Sequence, residues 1–334
     1  MHTLLLSATA LERYGEALRA AADFEFIVSD PQRPLPHEML ARVDIALMTQ
    51  DVIGPSSKTD LSASLQTFSR QLEAAPRLRW LHIPTAGTDR PIFVEMIRRG
   101  VRVTTSSGAN AQAVAHTALA GFMMLARGLL RFRDSQQAHR WEPVRGAQSP
   151  RDLDGQTAIV VGQGPIGQRI AALLETLGLA VLRVRRTAGA GSHAYGELPA
   201  LAARAQWIIL CCPISELTRH LVDARVLDAM APGGYVINVG RGGVVHEPAL
   251  VDAVRRGHLA GAYLDVFETE PLPPDSPFWD LPNVLVSPHS AGSSQGQSAR
   301  SVQVFIDNLA RWQRGEGLVN EVAPRRADDR EEAA

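Results

Sequence analysis

Short apolar runs alternate with segments of helical periodicity through the first hundred residues of the chain. Strands are predicted where the runs are continuous, at residues 4–6, 24–28, 45–48, 78–83 and 101–104. Helices are predicted where apolar residues recur every three or four positions, at residues 11–22, 37–41, 61–74 and 91–99. Strands that alternate with helices indicate a parallel, doubly wound sheet. The first block therefore predicts a flavodoxin-like α/β domain.

The longest uninterrupted helical pattern covers residues 109–130. Because alanine and methionine occupy several of its faces, this helix is predicted to be buried all round or to lie at an interface. We expect it to bridge two domains and to offer a contact for a homodimer. The polar segment 132–150 follows, and it either wraps a partner subunit or forms a surface loop.

A second series of apolar runs predicts another parallel sheet. Its strands are predicted at residues 158–161, 181–184, 207–211, 235–239, 260–266 and 284–286. Its helices are predicted at residues 168–177, 221–230 and 248–256. Six strands are what a full Rossmann domain needs. A last helix at 302–314 is expected to pack back on the first block, and the charged residues 324–334 are expected to be disordered.

Composition narrows the class of protein. The 334 residues are 45% hydrophobic and 21% charged with a formal net charge of −1, which is typical of a globular protein without nucleic-acid or membrane partners. Cys211 and Cys212 are neighbours on a predicted strand and point to opposite faces, so no disulfide is expected and a cytoplasmic location is favoured. We expect no signal peptide and no membrane helix. The ten histidines lack paired spacing, so no metal site is predicted.

A glycine motif stands between the strand at 158–161 and the helix after it. Gly162-x-Gly164-x-x-Gly167 has the spacing of a dinucleotide-binding loop, in which phosphates contact backbone N–H groups at a helix N-terminus. Pro165 suits the first helical turn because its missing N–H has no partner there, and Ile166 follows it. The alternative is a purely structural glycine turn.

Three polar residues follow later strands of the same predicted sheet, at the edge where open α/β folds bind ligands. Arg241 lies among glycines and is suited to clamp a carboxylate and a keto oxygen. His289 is a natural proton donor near neutral pH, and Glu270 is a carboxylate that can fix its tautomer. Each residue alone is as well explained by a turn, a loop or a strand end. Together, behind a dinucleotide loop, they predict a hydride-transfer site.

The segments that carry these residues resemble the D-isomer-specific 2-hydroxyacid dehydrogenases. The likeness lies in residues 238–250, 260–273 and 287–292, and it extends to residues 80–89, which resemble the family's substrate-carboxylate loop. It implies that the cofactor domain is inserted into the substrate domain. The implied bounds are 1–106 with 293–323 for the substrate domain and 107–292 for the Rossmann domain.

The resemblance also implies a role for each matching residue. Arg241 would bind and polarise a 2-keto acid, His289 would protonate its keto oxygen, and Glu270 would pair with His289. The backbone N–H groups of Ala86 and Gly87 would hold the substrate carboxylate. Further cofactor contacts are implied at Cys212, Pro213, Val239 and Asp265.

One departure from the NAD-specific pattern concerns the end of the second Rossmann strand. An acidic residue that binds the ribose 2′-hydroxyl is replaced there by Arg185, Arg186 and Thr187. Two guanidinium groups and a hydroxyl favour a 2′-phosphate, so NADP(H) is predicted as the preferred cofactor, with NAD(H) as the alternative. The family's glyoxylate and hydroxypyruvate reductases look similar here. The leading prediction is a reductase of such 2-keto acids; the rivals are an NAD-linked dehydrogenase of another D-2-hydroxy acid and a dinucleotide-sensing binding protein.

Overall fold

The chain folds into two compact units in the computed structural model, which describes residues 2–54 and 61–322. The first unit takes in the described residues up to Asn110 and those from Ser294 onward, and the second is Ala111–Ser293. The charged segment 324–334, for which we predicted disorder, lies outside the described residues.

Strands and helices alternate along both units. The strands of the described residues are β1 (His2–Ser7), β2 (Phe24–Ser29), β3 (Ile45–Leu47), β4 (Trp80–Ile83), β5 (Arg102–Thr105), β6 (Thr157–Val161), β7 (Ala180–Arg185), β8 (His193–Ala194), β9 (Trp207–Leu210), β10 (Gly234–Asn238), β11 (Leu259–Leu264) and β12 (Val284–Val286). The α-helices are α1 (Ala8–Ala21), α2 (His37–Leu40), α3 (Gln50–Ile53), α4 (Ala63–Glu73), α5 (Pro91–Arg98), α6 (Ala111–Ala126), α7 (Leu129–Gln137), α8 (Pro165–Thr176), α9 (Leu198–Ala202), α10 (Ala224–Ala229), α11 (Glu247–Arg255) and α12 (Gln297–Gln313).

The first unit has the predicted flavodoxin-like sheet. Its five described strands pair in parallel in the order β2-β1-β3-β4-β5. The sheet buries apolar side chains on both faces, and helix α12 covers one of them. Phe305 and Leu309 of α12 are buried with Leu4 and Trp80, and the rings of Trp80 and Phe305 stack with their centroids 4.8 Å apart. The C-terminal helix therefore completes the core of the N-terminal sheet.

The second unit is a Rossmann domain. Its described strands are all parallel, in the order β12-β11-β10-β9-β6-β7-β8. The prediction of six strands is wrong by one, because β8 has only two residues and leaves no apolar run in the sequence. The strand order reverses between β6 and β9, and in such sheets ligands bind at the carboxyl ends of the strands beside that point.

The helix predicted over residues 109–130 is in fact two helices. Helix α6 ends at Ala126, Gly128 adopts a left-handed conformation with φ +65°, and α7 begins at Leu129. The two axes bend by 70°. The segment predicted as a polar extension from residue 132 is therefore partly helical. Among the described residues no single helix has the length and apolar character to cross a membrane; α6 and α7 meet those criteria only as a bent pair.

Other helix ends differ from the predictions because side-chain caps decide them. Helix α10 begins at Ala224 rather than at residue 221, since the Asp223 carboxylate accepts a hydrogen bond from the Val226 N–H at 3.2 Å. Helix α1 begins three residues earlier than predicted, after the Ser7 hydroxyl that accepts from the Ala10 N–H at 3.0 Å. Helix α12 also begins earlier than predicted, at Gln297 instead of residue 302, although no side chain caps it.

Candidate active site

The glycine loop joins β6 to α8 at the carboxyl edge of the Rossmann sheet. Gly162 has φ +104°, a backbone conformation that a side chain disfavours. A Cβ atom on Gly167 would lie 1.8 Å from the Gly162 carbonyl oxygen, so only glycine lets the helix approach the strand this closely. A Cβ atom on Gly164 would meet nothing within 4 Å. The first turn of α8 thus faces open space and has no side-chain cap.

The end of β7 lies beside this loop, because the Gly162 N–H donates to the Val184 carbonyl at 2.8 Å. The next three side chains, those of Arg185, Arg186 and Thr187, are exposed. Arg183, two residues earlier, instead pairs with Glu175 on α8 at 2.8 Å. The two consecutive arginines therefore offer positive charge beside the loop, where a ribose 2′-substituent of a bound dinucleotide would lie.

The loop after β9 closes the other side of the glycine turn. The Cys211 thiol donates to the carbonyl oxygens of Val161 and Gly162, at 3.2 and 3.4 Å. Cys212 is buried, and burial raises the pKa of its thiol to about 12. Pro213 follows on the surface, while Val239 is buried at the end of the neighbouring β10. Both thiols therefore act as packing groups beneath the loop.

Arg241 follows β10 in a turn that Asn238 organises. The Asn238 side chain is buried; its Oδ1 accepts from the Gly240 N–H and its Nδ2 donates to the Arg241 carbonyl, both at 3.0 Å. Nη1 of Arg241 donates to the Gly240 carbonyl at 2.8 Å. Sequence reasoning missed Asn238, although it lies within the motif that revealed Arg241. A polar residue at the end of an otherwise apolar strand was the available signal.

Glu270 and His289 form a hydrogen-bonded pair. Nδ1 of His289 lies 2.8 Å from Oε2 of Glu270, and Oε1 of Glu270 accepts from the Phe267 N–H at 3.0 Å. A carboxylate oxygen only accepts, so Nδ1 carries the proton in this pair and the tautomer is defined by Glu270. About half of the His289 side chain is exposed. The imidazole can therefore exchange a proton with a small molecule through Nε2.

Asp265 is buried behind this pair, next to Tyr263 and Ser287. Its carboxylate accepts hydrogen bonds from the Ser287 hydroxyl at 2.5 Å and from the N–H groups of Ser290 and Ala291 at 2.8 and 3.0 Å. These contacts attach the turn that carries His289 to the end of β11. Tyr263 and Ser287 were not identified from the sequence, since neither stands out by charge.

Further titratable side chains lie near Glu270. Glu247 accepts from the Glu268 N–H at 2.7 Å, and Glu268 in turn lies 2.8 Å from Nε2 of His220. Burial raises the pKa of Glu247, and the nearby charges of Glu268 and Glu270 add to the effect, whereas the Glu268 N–H opposes it. Within the described residues no group of three or more His, Cys, Asp or Glu side chains can hold a metal ion.

Ala86 and Gly87 belong to the first unit, in the loop after β4. The Thr85 hydroxyl donates to the Gly87 carbonyl at 2.9 Å, and the Ser106 N–H donates to the Thr85 carbonyl at 3.1 Å. These two hydrogen bonds hold the loop in a folded turn at the carboxyl edge of the first sheet.

Comparisons with known proteins agree with this architecture. Residues 119–291 match the family described as D-isomer specific 2-hydroxyacid dehydrogenase, NAD binding domain. The glyoxylate/hydroxypyruvate reductase B of Pectobacterium carotovorum is 30% identical over 327 residues, which cover 95% of this chain and 98% of the relative.

Two solved structures are similar over nearly the whole chain. A D-isomer specific 2-hydroxyacid dehydrogenase of Xanthobacter autotrophicus, in complex with NADPH and MES, has 29% identity and a TM-score of 0.75, covering 97% of this chain and 98% of that one. An NADPH-dependent glyoxylate/hydroxypyruvate reductase of Sinorhizobium meliloti, in complex with NADP and malonate, has 29% identity and a TM-score of 0.72, covering 98% and 99%.

Proposed function

Because the chain belongs to the D-isomer-specific 2-hydroxyacid dehydrogenase family, whose members are NAD(P)-dependent oxidoreductases, we propose that it reduces small 2-keto acids of the glyoxylate and hydroxypyruvate type to D-2-hydroxy acids with NADPH. The observation that carries the proposal is the 2.8 Å pair of His289 and Glu270 at the carboxyl edge of a Rossmann sheet. Reduction of a ketone consumes a proton, and this pair is suited to supply it.

The residues around the glycine loop fit a dinucleotide. Gly164 leaves room for a pyrophosphate against the uncapped first turn of α8, where Pro165 and Ile166 begin the helix. Cys212, Pro213 and Val239 would line the path of the cofactor along the strand ends. When bound, the reduced dinucleotide supplies the hydride that the keto carbon takes up.

The chain's own side chains would handle the substrate and the proton. His289 holds a proton at Nε2 in its charged form and gives it to the keto oxygen as negative charge develops there. Glu270 keeps the imidazole oriented by accepting a hydrogen bond from Nδ1. Arg241, whose turn is fixed by Asn238, binds and polarises the keto acid through its guanidinium group.

The loop after β4 is the proposed position of a carboxylate-binding turn. We propose that the N–H groups of Ala86 and Gly87 donate hydrogen bonds to a substrate carboxylate, because backbone amides in a folded turn form an anion-binding concavity. The hydrogen bond from Thr85 to the Gly87 carbonyl supports this by fixing the turn before any ligand arrives.

The preference for NADPH rests on the exposed end of β7. Arg185, Arg186 and Thr187 would contact the 2′-phosphate, and the described contacts assign Arg183 to Glu175 instead. Arg185→Asp is expected to lower kcat/KM for NADPH by about tenfold or more and to spare NADH, since one charge-assisted contact is lost and a repulsion is gained. Arg204→Asp is the control with the same change of charge. Arg204 is exposed and lies between α9 and β9, at the amino end of that strand. An unchanged ratio in Arg185→Asp would contradict the preference.

A panel of 2-keto acids tests the function itself. Glyoxylate, hydroxypyruvate, pyruvate and bulkier 2-keto acids would be assayed with NADPH and with NADH by the loss of absorbance of the reduced nicotinamide. The proposal expects turnover with at least one of the two smallest acids and a higher kcat/KM with NADPH. Turnover restricted to another acid with NADH would favour the NAD-linked alternative. Cofactor binding without any turnover would favour a dinucleotide-sensing binding protein.

We also propose a homodimer through residues 109–150. Leu129 and Phe132 of α7 are exposed apolar side chains, and Trp141, just beyond α7, is 96% exposed. The segment that presents Trp141 is ordered, because Glu142 accepts hydrogen bonds from Ser135 and Arg140 at 2.7 and 2.8 Å. An exposed tryptophan in the same ordered segment as two exposed apolar residues supports the proposal that a second copy covers this segment.

A cytoplasmic location fits the state of the thiols. Cys211 and Cys212 are free, and their adjacent positions prevent them from pairing with each other. Proteins that keep all their thiols free are typical of a reducing compartment.

A further inference from the structure

The turn that carries His289 has an unusual backbone. His289 has φ +50°, in the left-handed region that residues other than glycine seldom adopt. Such a conformation is retained only where the surrounding structure holds it. The His289 N–H donates to the Asp265 carbonyl at 2.8 Å, and the N–H groups of Ser290 and Ala291 donate to the Asp265 carboxylate. Asp265 therefore holds the turn from both sides of His289.

The Asp265 carboxylate is in turn held by a chain of two hydroxyl groups. The Ser287 hydroxyl donates its hydrogen to Oδ1 of Asp265, at 2.5 Å. Ser287 then has only acceptor capacity left for Tyr263, whose hydroxyl lies 2.9 Å from its Oγ. The order of donation is therefore fixed: Tyr263 donates to Ser287, and Ser287 donates to Asp265.

The Tyr263 ring, at the start of this series of hydrogen bonds, is held in place by packing. Tyr263 is on β11, the strand next to the edge strand β12, and only 2% of it is exposed. Its ring lies directly against the backbone of α6 at Gly121, where a Cβ atom would come within 2.2 Å of the ring. Burial raises the pKa of the phenol, so Tyr263 remains a donor throughout the working range of pH.

We propose that Tyr263 and Ser287 are positioning residues of the reaction, because their hydroxyl groups orient the Asp265 carboxylate that holds the His289 turn. This inference rests on the proposed function of His289. It assigns a purpose to the hydroxyl groups of a buried tyrosine and of a serine whose carbonyl accepts from the His289 N–H at 3.1 Å. Loss of either hydroxyl loosens the turn and misplaces the proton donor, while the binding surfaces for cofactor remain intact.

The experiment compares Tyr263→Phe and Ser287→Ala with the wild-type protein. Each variant is expected to lower kcat by about three- to tenfold, the effect of one lost hydrogen bond, with KM for NADPH changed by less than about twofold. Hydrogen exchange of the peptide covering residues 287–293 is expected to accelerate in both variants. Ser287→Thr keeps the hydroxyl and is expected to restore both kcat and the slow exchange.

Tyr235→Phe is the matched control. Tyr235 lies on the neighbouring strand β10 with its ring stacked on Trp207. This variant therefore removes a phenol hydroxyl from the same sheet and leaves the hydrogen bonds of Tyr263, Ser287 and Asp265 in place. It should leave kcat and the exchange of 287–293 unchanged.

Two results would overturn the inference. The first is an unchanged kcat in Tyr263→Phe, whether or not the exchange of the turn becomes faster. The second is a lower kcat in Tyr263→Phe or Ser287→Ala with unchanged exchange of the turn. Wild-type protein that reduces no 2-keto acid would overturn the proposed function and this inference with it. An active wild type with an equally active Tyr263→Phe would overturn the inference alone.

Discussion

About half of the side chain of His289, the proposed proton donor, is exposed, but hydrogen bonds within the protein fix its orientation. Glu270 accepts from Nδ1 of His289, and Oε1 of Glu270 is itself held by the Phe267 N–H. This arrangement separates two tasks, since one ring nitrogen is fixed by the protein and the other is available for a reacting oxygen. Substitutions at the two residues should therefore differ in size as well as in kind.

His289→Asn is expected to lower kcat by about 10²- to 10⁴-fold, the usual contribution of a positioned general acid, with little change in KM. Glu270→Gln keeps a hydrogen-bond acceptor beside Nδ1 but loses the charge, so a smaller loss of kcat is expected. Steady-state kinetics with NADPH and the best 2-keto acid would measure both. His37→Asn, an exposed histidine on α2, is the control. Near-normal turnover in His289→Asn would show that another group delivers the proton.

A second histidine, His82 on β4, is completely buried in the first unit. The indole N–H of Trp80 donates to Thr104 Oγ1, so the Thr104 hydrogen is directed to Nδ1 of His82, 2.9 Å away. Ser106 donates to the Ile83 carbonyl and therefore accepts from Nε2 of His82, at 3.0 Å. These contacts define a neutral imidazole protonated at Nε2. Burial lowers the pKa of His82 from 6.5 to about 3, against a smaller opposing effect of the Ser301 backbone.

The depressed pKa of His82 predicts a loss of stability in acid. A base whose folded pKa lies below its unfolded value stabilises the fold above the unfolded pKa, and this contribution is lost as the pH falls from 6.5 towards 3. Between about pH 7.5 and about pH 4.5, His82 should cost about 3 kcal/mol of the free energy of unfolding. Urea unfolding at both pH values should show a smaller loss in His82→Gln and the full loss in His37→Gln. Equal losses in the wild type and His82→Gln would contradict the neutral buried histidine.

Two glycines of the glycine loop that joins β6 to α8 differ in what the fold requires of them. Gly167 is required by the fold, because a Cβ atom there would lie 1.8 Å from the Gly162 carbonyl oxygen. Gly164 is not required by the fold, because its backbone is extended with φ −75° and an added Cβ would meet nothing. The fold therefore tolerates a larger residue at position 164, and a requirement for glycine there would come from a ligand.

The two glycines predict opposite consequences for alanine. Gly164→Ala should leave the free energy of unfolding unchanged within about 0.5 kcal/mol, while KM for NADPH rises by about tenfold or more because the pyrophosphate is pushed away. Gly167→Ala should cost about 1–3 kcal/mol of stability through overpacking. Denaturant unfolding and steady-state kinetics on both variants test this pair. Gly196→Ala, which also meets nothing within 4 Å, is the control for both measurements. An unaltered KM in Gly164→Ala would argue against a dinucleotide at this loop.

The elements that the sequence predicted well are those whose signal is local. Both sheets were predicted, since buried parallel strands leave continuous apolar runs, and β8 was missed because two residues leave none. The break at Gly128 was missed because one glycine is compatible with a helical pattern. The left-handed backbone of Gly128 and the 70° bend between the two helices are visible only in the structure. The site residues Arg241, Glu270 and His289 stood out by charge at strand ends. Asn238, Tyr263 and Ser287 did not, because their importance lies in hydrogen bonds formed across the fold.

Each of the two sheets has apolar core clusters of its own. The first sheet is completed by α12, from the far end of the chain, through Phe305 and Leu309. One core of the second sheet includes Ile159, Val236 and Leu264. The apolar side chains at the surface are therefore not needed by either core, and those on and beyond α7 are concentrated in one short segment.

This concentration predicts the assembly state. The wild-type protein is expected to sediment at twice the mass of the 334-residue chain, because Leu129, Phe132 and Trp141 are exposed apolar side chains of one short segment, which a second copy would cover. Leu129→Asp combined with Phe132→Asp should shift the protein to the monomer, since charges buried in such an interface cost several kcal/mol. Val94→Asp on α5 replaces an apolar side chain of similar exposure, 44% against 41% for Phe132, and should remain dimeric. Sedimentation equilibrium over a range of concentrations distinguishes the three proteins. A monomeric wild type would contradict the dimer, and a double variant that stays dimeric would place the interface elsewhere.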